Sequence, residues 1–156
     1  MIQKILVASD FSESSEHALE MAIEMAHRET ATLTLLNVCG VPAYADAVGA
    51  GFVSPAPELF ADLLAGAEGR LAKVKRQLAA RGIPIETAVV EGEPSEMIPR
   101  FAEARGHDLI VVGSHGRRGF KRLFLGSVAE HVVRAATMPV LVVHPRREAE
   151  SVAHTA

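Results

Sequence analysis

Residues 113 to 127 read GSHGRRGFKRLFLGS and follow directly on the apolar run LIVV. Gly113, Gly116, Gly126 and Ser127 are interspersed there with Arg117, Arg118, Lys121 and Arg122, and no acid interrupts them. Glycine can adopt positive φ and lets a ligand approach the backbone, and a Gly-Ser pair opening a helix leaves the first amides unpaired and pointing outward. Free amides at the positive end of a helix dipole form an anion site. Ser127 adds a hydroxyl donor, and the four cations raise the local positive potential. An acid such as Asp10 opposite this cradle could accept hydrogen bonds from a ribose or hold a cation that bridges phosphates. Together these parts describe a nucleotide.

Glycine and arginine also fill ordinary surface loops. Each basic residue taken alone reads as a solvated charge, and FKRLF reads equally as a partner-binding patch. The glycine spacing separates the stretch from that background, since GxxG with GS nine residues further on arises by chance in about 1% of chains of this length. Neither GxxxxGK[ST] nor a GxGxxG after the first strand occurs, which argues against a standard P-loop NTPase or dehydrogenase.

The elements that must position these residues alternate in type. Short aliphatic or β-branched runs occur at 5–8, 33–38, 85–90, 109–112 and 140–143, and several are apolar on both faces, the pattern of strands covered on both sides of a parallel sheet. Helical stretches lie between them. The first runs from Ser12, a candidate N-cap, to Arg28, with Glu13 and Glu16 in its first turn and Leu19, Ala22, Ile23 and Ala26 on one face. The second, Glu58 to Arg81, repeats apolar residues at Phe60, Leu64, Ala67, Leu71, Val74 and Leu78 and is stopped by Gly82 and Pro84. A third covers Pro94 to Arg105 and a fourth Ser127 to Ala136. Pro99 inside the third predicts a late start or a kink. The implied fold is a single-domain, Rossmann-like α/β sandwich, a five-stranded parallel sheet of order 3-2-1-4-5 with helices on both faces. Ligands bind such sheets outside the carboxyl ends of the strands where the strand order reverses, which places Ser9 and Asp10 beside the residues from Gly113 to Gly116.

Composition bounds the function. A chain of 156 residues predicts one domain, here 1–146, with a frayed polar tail at 147–156. At 49% apolar and 22% charged residues, with a net charge of −3, it is neither a nucleic-acid-coating nor a disordered chain, and no apolar run is long enough to span a bilayer. No leader precedes the first strand, so the chain reads as cytoplasmic. Cys39 is the only cysteine, which excludes an internal disulfide and a multi-cysteine zinc site.

The run VVGSHGRRGFKRLFLGSVAEHVV, with its GxxG(x9)G[ST] pattern, resembles the ATP-binding branch of the universal stress protein (UspA-like) family. ILVASDFSESSEHAL, LTLLNV and PVLVVH are similar to the same family, so that the resemblance covers residues 2 to 144. It implies ATP as ligand. Ala8, Ser9 and Asp10 would line the adenosine side, and Val38 would meet the adenine through its backbone. Val112 and Gly113 would border the ribose and phosphates, with His115, Gly116, Gly126, Ser127 and Val128 completing the phosphate cradle. The resemblance further implies Mg2+ or Mn2+ held through the phosphates and a homodimer built through Val140 to Val143. The stretch from Cys39 to Pro57 is long for a connection and reads as a lid or a partner surface.

Three functions follow: an ATP-dependent stress sensor or regulator; a slow ATP hydrolase or phosphoryl or nucleotidyl transferase using Asp10 and His115; and an interaction module, with a protein partner still to be named, in which the nucleotide is structural. A bulky residue at Gly113 or Gly126 is expected to abolish ATP binding with the fold intact. The seven histidines include no HExxH motif or ligand cluster. Cys39 reads as a small packed residue, and Glu91 and Glu93 as loop acids.

Overall fold

The computed structural model describes residues 1–40, 57–115 and 125–145. The expected connection at 39–57 and the tail at 147–156 therefore lie wholly or largely outside the described residues, as do Gly116 and the four basic residues that follow it. Five strands, β1 (Lys4–Ala8), β2 (Thr32–Cys39), β3 (Glu86–Glu91), β4 (Leu109–Gly113) and β5 (Val140–Val143), alternate with α1 (Glu13–Glu29), α2 (Pro57–Ala80), α3 (Pro94–Ala104) and α4 (Ser127–Ala135). The sheet order is β3-β2-β1-β4-β5 with every pair parallel, as the sequence predicts.

Strand pleating explains the two-sided apolar runs. Ile5, Val7, Leu35, Leu109 and Val111 pack with Ala18, Ala22, Leu71 and Leu78 of α1 and α2 on one face. Leu6, Leu36, Ile110 and Val112 pack with Ile98, Ala102, Ala129 and Val132 of α3 and α4 on the other. Each fully buried aliphatic side chain contributes about 1.5–3 kcal/mol relative to exposure.

The helix ends follow local chemistry. Ser12 caps α1 through Oγ, which accepts from the Ser15 amide at 3.3 Å, and Gly82, at φ 75°, terminates α2. The expected late start of α3 does not occur. The helix begins at Pro94 because the Glu93 carbonyl accepts from both Glu96 and Met97, at 3.0 and 2.9 Å, and so anchors the first turn upstream of Pro99. Pro99 itself is buried within the helix.

Candidate functional site

At the carboxyl end of β1, the peptide bonds of the sheet hand over to side chains. The Ser9 amide donates to the Leu36 carbonyl at 2.8 Å, and the Asn37 side-chain amide donates to the Ser9 carbonyl at 2.7 Å. Asn37 is buried, so its amide fixes the outgoing chain where β1 ends. Ser15 Oγ donates to the Ser12 carbonyl at 2.8 Å, so the 3.1 Å contact between Ser9 Oγ and Ser15 Oγ has Ser9 as donor. Ser9 Oγ in turn accepts from the Phe11 amide, and Asp10 Oδ1 accepts from the Ser12 amide at 3.0 Å. The turn is tight enough to hold Phe11 at φ 63°, a left-handed conformation that costs a bulky residue energy and marks functional turns. The Arg70 guanidinium lies 4.0 Å over its ring.

Val38 lies two residues beyond the last pairing of β2 with β1, which ends at Ala8 and Leu36. In a parallel strand alternate residues direct their peptide groups to the same side. The Leu36 carbonyl faces β1 and the Cys39 carbonyl accepts from Gly92 beside β3, so the peptide groups of Val38 face the side where β1 has already ended.

Gly113 departs from the expectation. It does not have positive φ, and the space a Cβ would take is filled by protein: Ser14 Oγ, C and O would lie 2.6, 2.7 and 2.8 Å away. Gly113 is thus the residue that lets the first turn of α1 sit directly on β4, and a bulky side chain there would displace α1 rather than leave the fold intact. Gly126 is a packing glycine as well, with the Ser114 carbonyl 3.0 Å from its would-be Cβ.

Ser114, between them, is fully buried and holds three elements together. Its amide donates to the Val143 carbonyl of β5 at 2.8 Å and its carbonyl accepts from Gly126 at 2.8 Å. Its Oγ lies 2.9 Å from His115 Nδ1. The His115 amide donates to Ser14 Oγ at 3.4 Å, while His115 Nε2 is buried with no hydrogen-bond partner among the described residues. Beyond Gly126, the first hydrogen bond of α4 runs from the Glu130 amide to the Gly126 carbonyl at 2.9 Å. The amides of Ser127, Val128 and Ala129 precede it and have no partner within the helix, and the Gly126 cap supplies no side chain to meet them.

The structure therefore brings Ala8, Ser9, Asp10, Val38, Val112, Gly113, His115, Gly126, Ser127 and Val128 to one edge of the sheet; Gly116 lies outside the described residues. Ser14, Asn37 and Ser114 were not singled out from the sequence. A groove of about 310 Å3 between α3 and α4, lined in part by Pro99, Arg100 and His131, lies among helices on one face of the sheet. Among the described residues no three His, Cys, Asp or Glu side chains are grouped to hold a metal ion. No helix among them is long and apolar enough to cross a membrane.

A five-stranded doubly wound sheet with a helix start beside its strand-order reversal defines an α/β protein whose strand ends form the place where such sheets take their ligands. The chain belongs to the universal stress protein family, whose model matches residues 1–144. It is 37% identical over 148 residues to the universal stress protein YxiE of Bacillus subtilis, covering 92% of this chain and 99% of that protein. The solved structure of the MJ0577 protein of Methanocaldococcus jannaschii superposes with a TM-score of 0.77 at 32% identity, covering 94% of this chain and 98% of the other. A universal stress protein solved in complex with cAMP gives a TM-score of 0.61 at 27% identity, covering 93% and 98% of the two chains.

Proposed function

We propose that the protein binds ATP at this sheet edge and acts as a nucleotide-dependent regulator in a stress response, its occupancy biasing its conformation or its partner. The observation that carries the reading is that the amides of Ser127, Val128 and Ala129 have no hydrogen-bond partner among the described residues, opened by Gly126 where β4 meets the reversal of strand order. The cAMP complex of a relative supports an adenine nucleotide as the occupant.

In this reading Ala8, Ser9 and Asp10 line the adenosine side and the peptide groups of Val38 meet the adenine. Val112 and Gly113 border the ribose through their backbones, and His115, Gly116, Gly126, Ser127 and Val128 hold the phosphates. A divalent cation, Mg2+ or Mn2+, is held chiefly by the phosphates, with Asp10 the nearby carboxylate of the β1 turn. Two copies pair through β5. Occupancy regulates only if the two states of the protein differ in affinity for ATP.

The test begins with the purified protein: acid denaturation and chromatography identify any nucleotide it carries, and melting is followed with and without ATP. At a hundredfold excess over Kd, ATP should add about 2.7 kcal/mol, which for a domain of this size raises Tm by about 5–10 °C. Ser127→Asp is the discriminating variant. Ser127 is exposed at the first position of α4, where an acid favours the helix dipole but occupies and repels the phosphate position. Folding should be unimpaired while ATP affinity falls at least tenfold; an empty protein with no melting shift overturns the reading.

A further inference from the structure

Ser114 and His115 form a buried pair whose hydrogen positions can be worked out from their partners. Ser114 is 0% exposed, and among the described residues its Oγ makes a single hydrogen bond, to His115 Nδ1 at 2.9 Å. If Nδ1 carried the ring hydrogen and donated, two groups out of water would be unsatisfied: the serine hydroxyl hydrogen and the Nε2 lone pair. If the hydroxyl donates to Nδ1, the hydrogen resides on Nε2 and a single group is unsatisfied, the Nε2–H donor. A buried unsatisfied polar group costs about 1–3 kcal/mol, so the second arrangement prevails. The His144 ring, with its centroid 6.5 Å from that of His115, makes no hydrogen bond to it.

The remaining Nε2–H belongs to the residue whose Cα lies 3.4 Å from the place a Gly126 Cβ would take at the start of α4, and a phosphate oxygen is purely an acceptor. We infer that Ser114 is a positioning residue that holds the His115 imidazole in the Nε2–H form and orientation, so that Nε2 donates to a phosphate oxygen of the bound nucleotide. This rests on the nucleotide reading and deepens it: the residue between Gly113 and His115 acts on the ligand through its neighbour. Its backbone is fixed independently by Val143 and Gly126, so the hydroxyl is free of any part in holding β4, β5 and α4 together.

The direct test is a long-range 1H–15N correlation spectrum of imidazole-labelled protein, recorded well above the ordinary histidine pKa of about 6.5, with His115 assigned by the signal lost in His115→Gln. The wild type should show an unprotonated Nδ1 and a protonated Nε2, and ATP should move the Nε2 resonance. His115→Gln, whose amide nitrogen can replace Nε2, should retain ATP binding, whereas His115→Ala should lose about tenfold. Ser114→Ala should weaken binding about fivefold in the wild-type background and leave affinity unchanged in the His115→Gln background, because glutamine needs no tautomer set for it. A protonated Nδ1 in the wild type, or an equal loss from Ser114→Ala in both backgrounds, overturns the inference. ATP that binds tightly with Nε2 unmoved overturns it alone, whereas a wild-type protein that binds no ATP overturns the nucleotide reading and this role together.

Discussion

Ser14 and Gly113 meet so closely that each determines what the other can be. Adding one methyl at Gly113 brings a carbon within 2.6–2.8 Å of three Ser14 atoms, two of them backbone. Overpacking of that kind costs about 1–3 kcal/mol, and urea unfolding of Gly113→Ala should show a loss in that range. Ser127→Asp, by contrast, should spare stability and lose ATP, so the two substitutions separate the packing role of the motif from its binding role. The sequence shows the motif but not this division of labour. Ser12 is legible as the cap of α1, and its Oγ accepts from the Ser15 amide as that reading expects; Ser14, in the same polar stretch, becomes a buried contact only through the approach of α1 to β4. Asn37 was hidden for a similar reason, since an asparagine within LTLLNV reads as a blemish in a strand until β1 is seen to end beside it.

At the scale of elements, every strand and helix was legible, because apolar runs and helical periodicity survive in a sheet that is covered on both faces. The late start expected from Pro99 did not occur, because propensity reasoning sees the missing amide and not the Glu93 carbonyl that anchors the turn before it. His107, just before β4, was read as one scattered histidine among several. It is buried at 7% exposure, stacks on Phe101, accepts from Thr34 Oγ1 through Nε2 at 3.1 Å and donates from Nδ1 toward the Ala102 carbonyl. Burial holds its pKa below the ordinary value, outweighing the opposing effect of the Ala102 hydrogen bond. A histidine with a lowered folded pKa stabilises fully above its unfolded pKa of about 6.5, and that contribution is lost as pH falls through the folded value. The urea midpoint should therefore drop as pH is lowered from 7 toward 5, and His107→Gln should flatten that part of the profile. Asp108 titrates in a different window. Its Oδ2 accepts from the Gln3 and Lys4 amides, which depress its pKa, so its contribution persists until far more acidic conditions and then falls away.

For the whole molecule, the proposed pairing of two copies through β5 can be tested at the outer edge of the sheet. β5 is an outer strand, and its hydrogen bonds define two sides. The Pro139 and Val143 carbonyls accept from Ile110 of β4 and from Ser114 just past it, so the peptide groups of Val140 and Val142 face outward. Val142→Pro removes an outward amide and no β4 bond. If β5 builds a dimer, sedimentation should show this variant shifted toward monomer while its melting remains cooperative; an unchanged dimer would place the interface elsewhere.

The central position of β1 has a further consequence, in the order in which the protein is made. β1 pairs with β2, which follows after a single helix, and also with β4, and the Lys4 amide is held by Asp108, 104 residues later. On a translating ribosome the first strand therefore leaves the tunnel long before half of its hydrogen-bonding edge has a partner. At about 5–20 residues per second, that edge waits for several seconds as an apolar, unpaired template. Nascent chains halted just before β4 should recruit holding chaperones, and release of that strand should let them go.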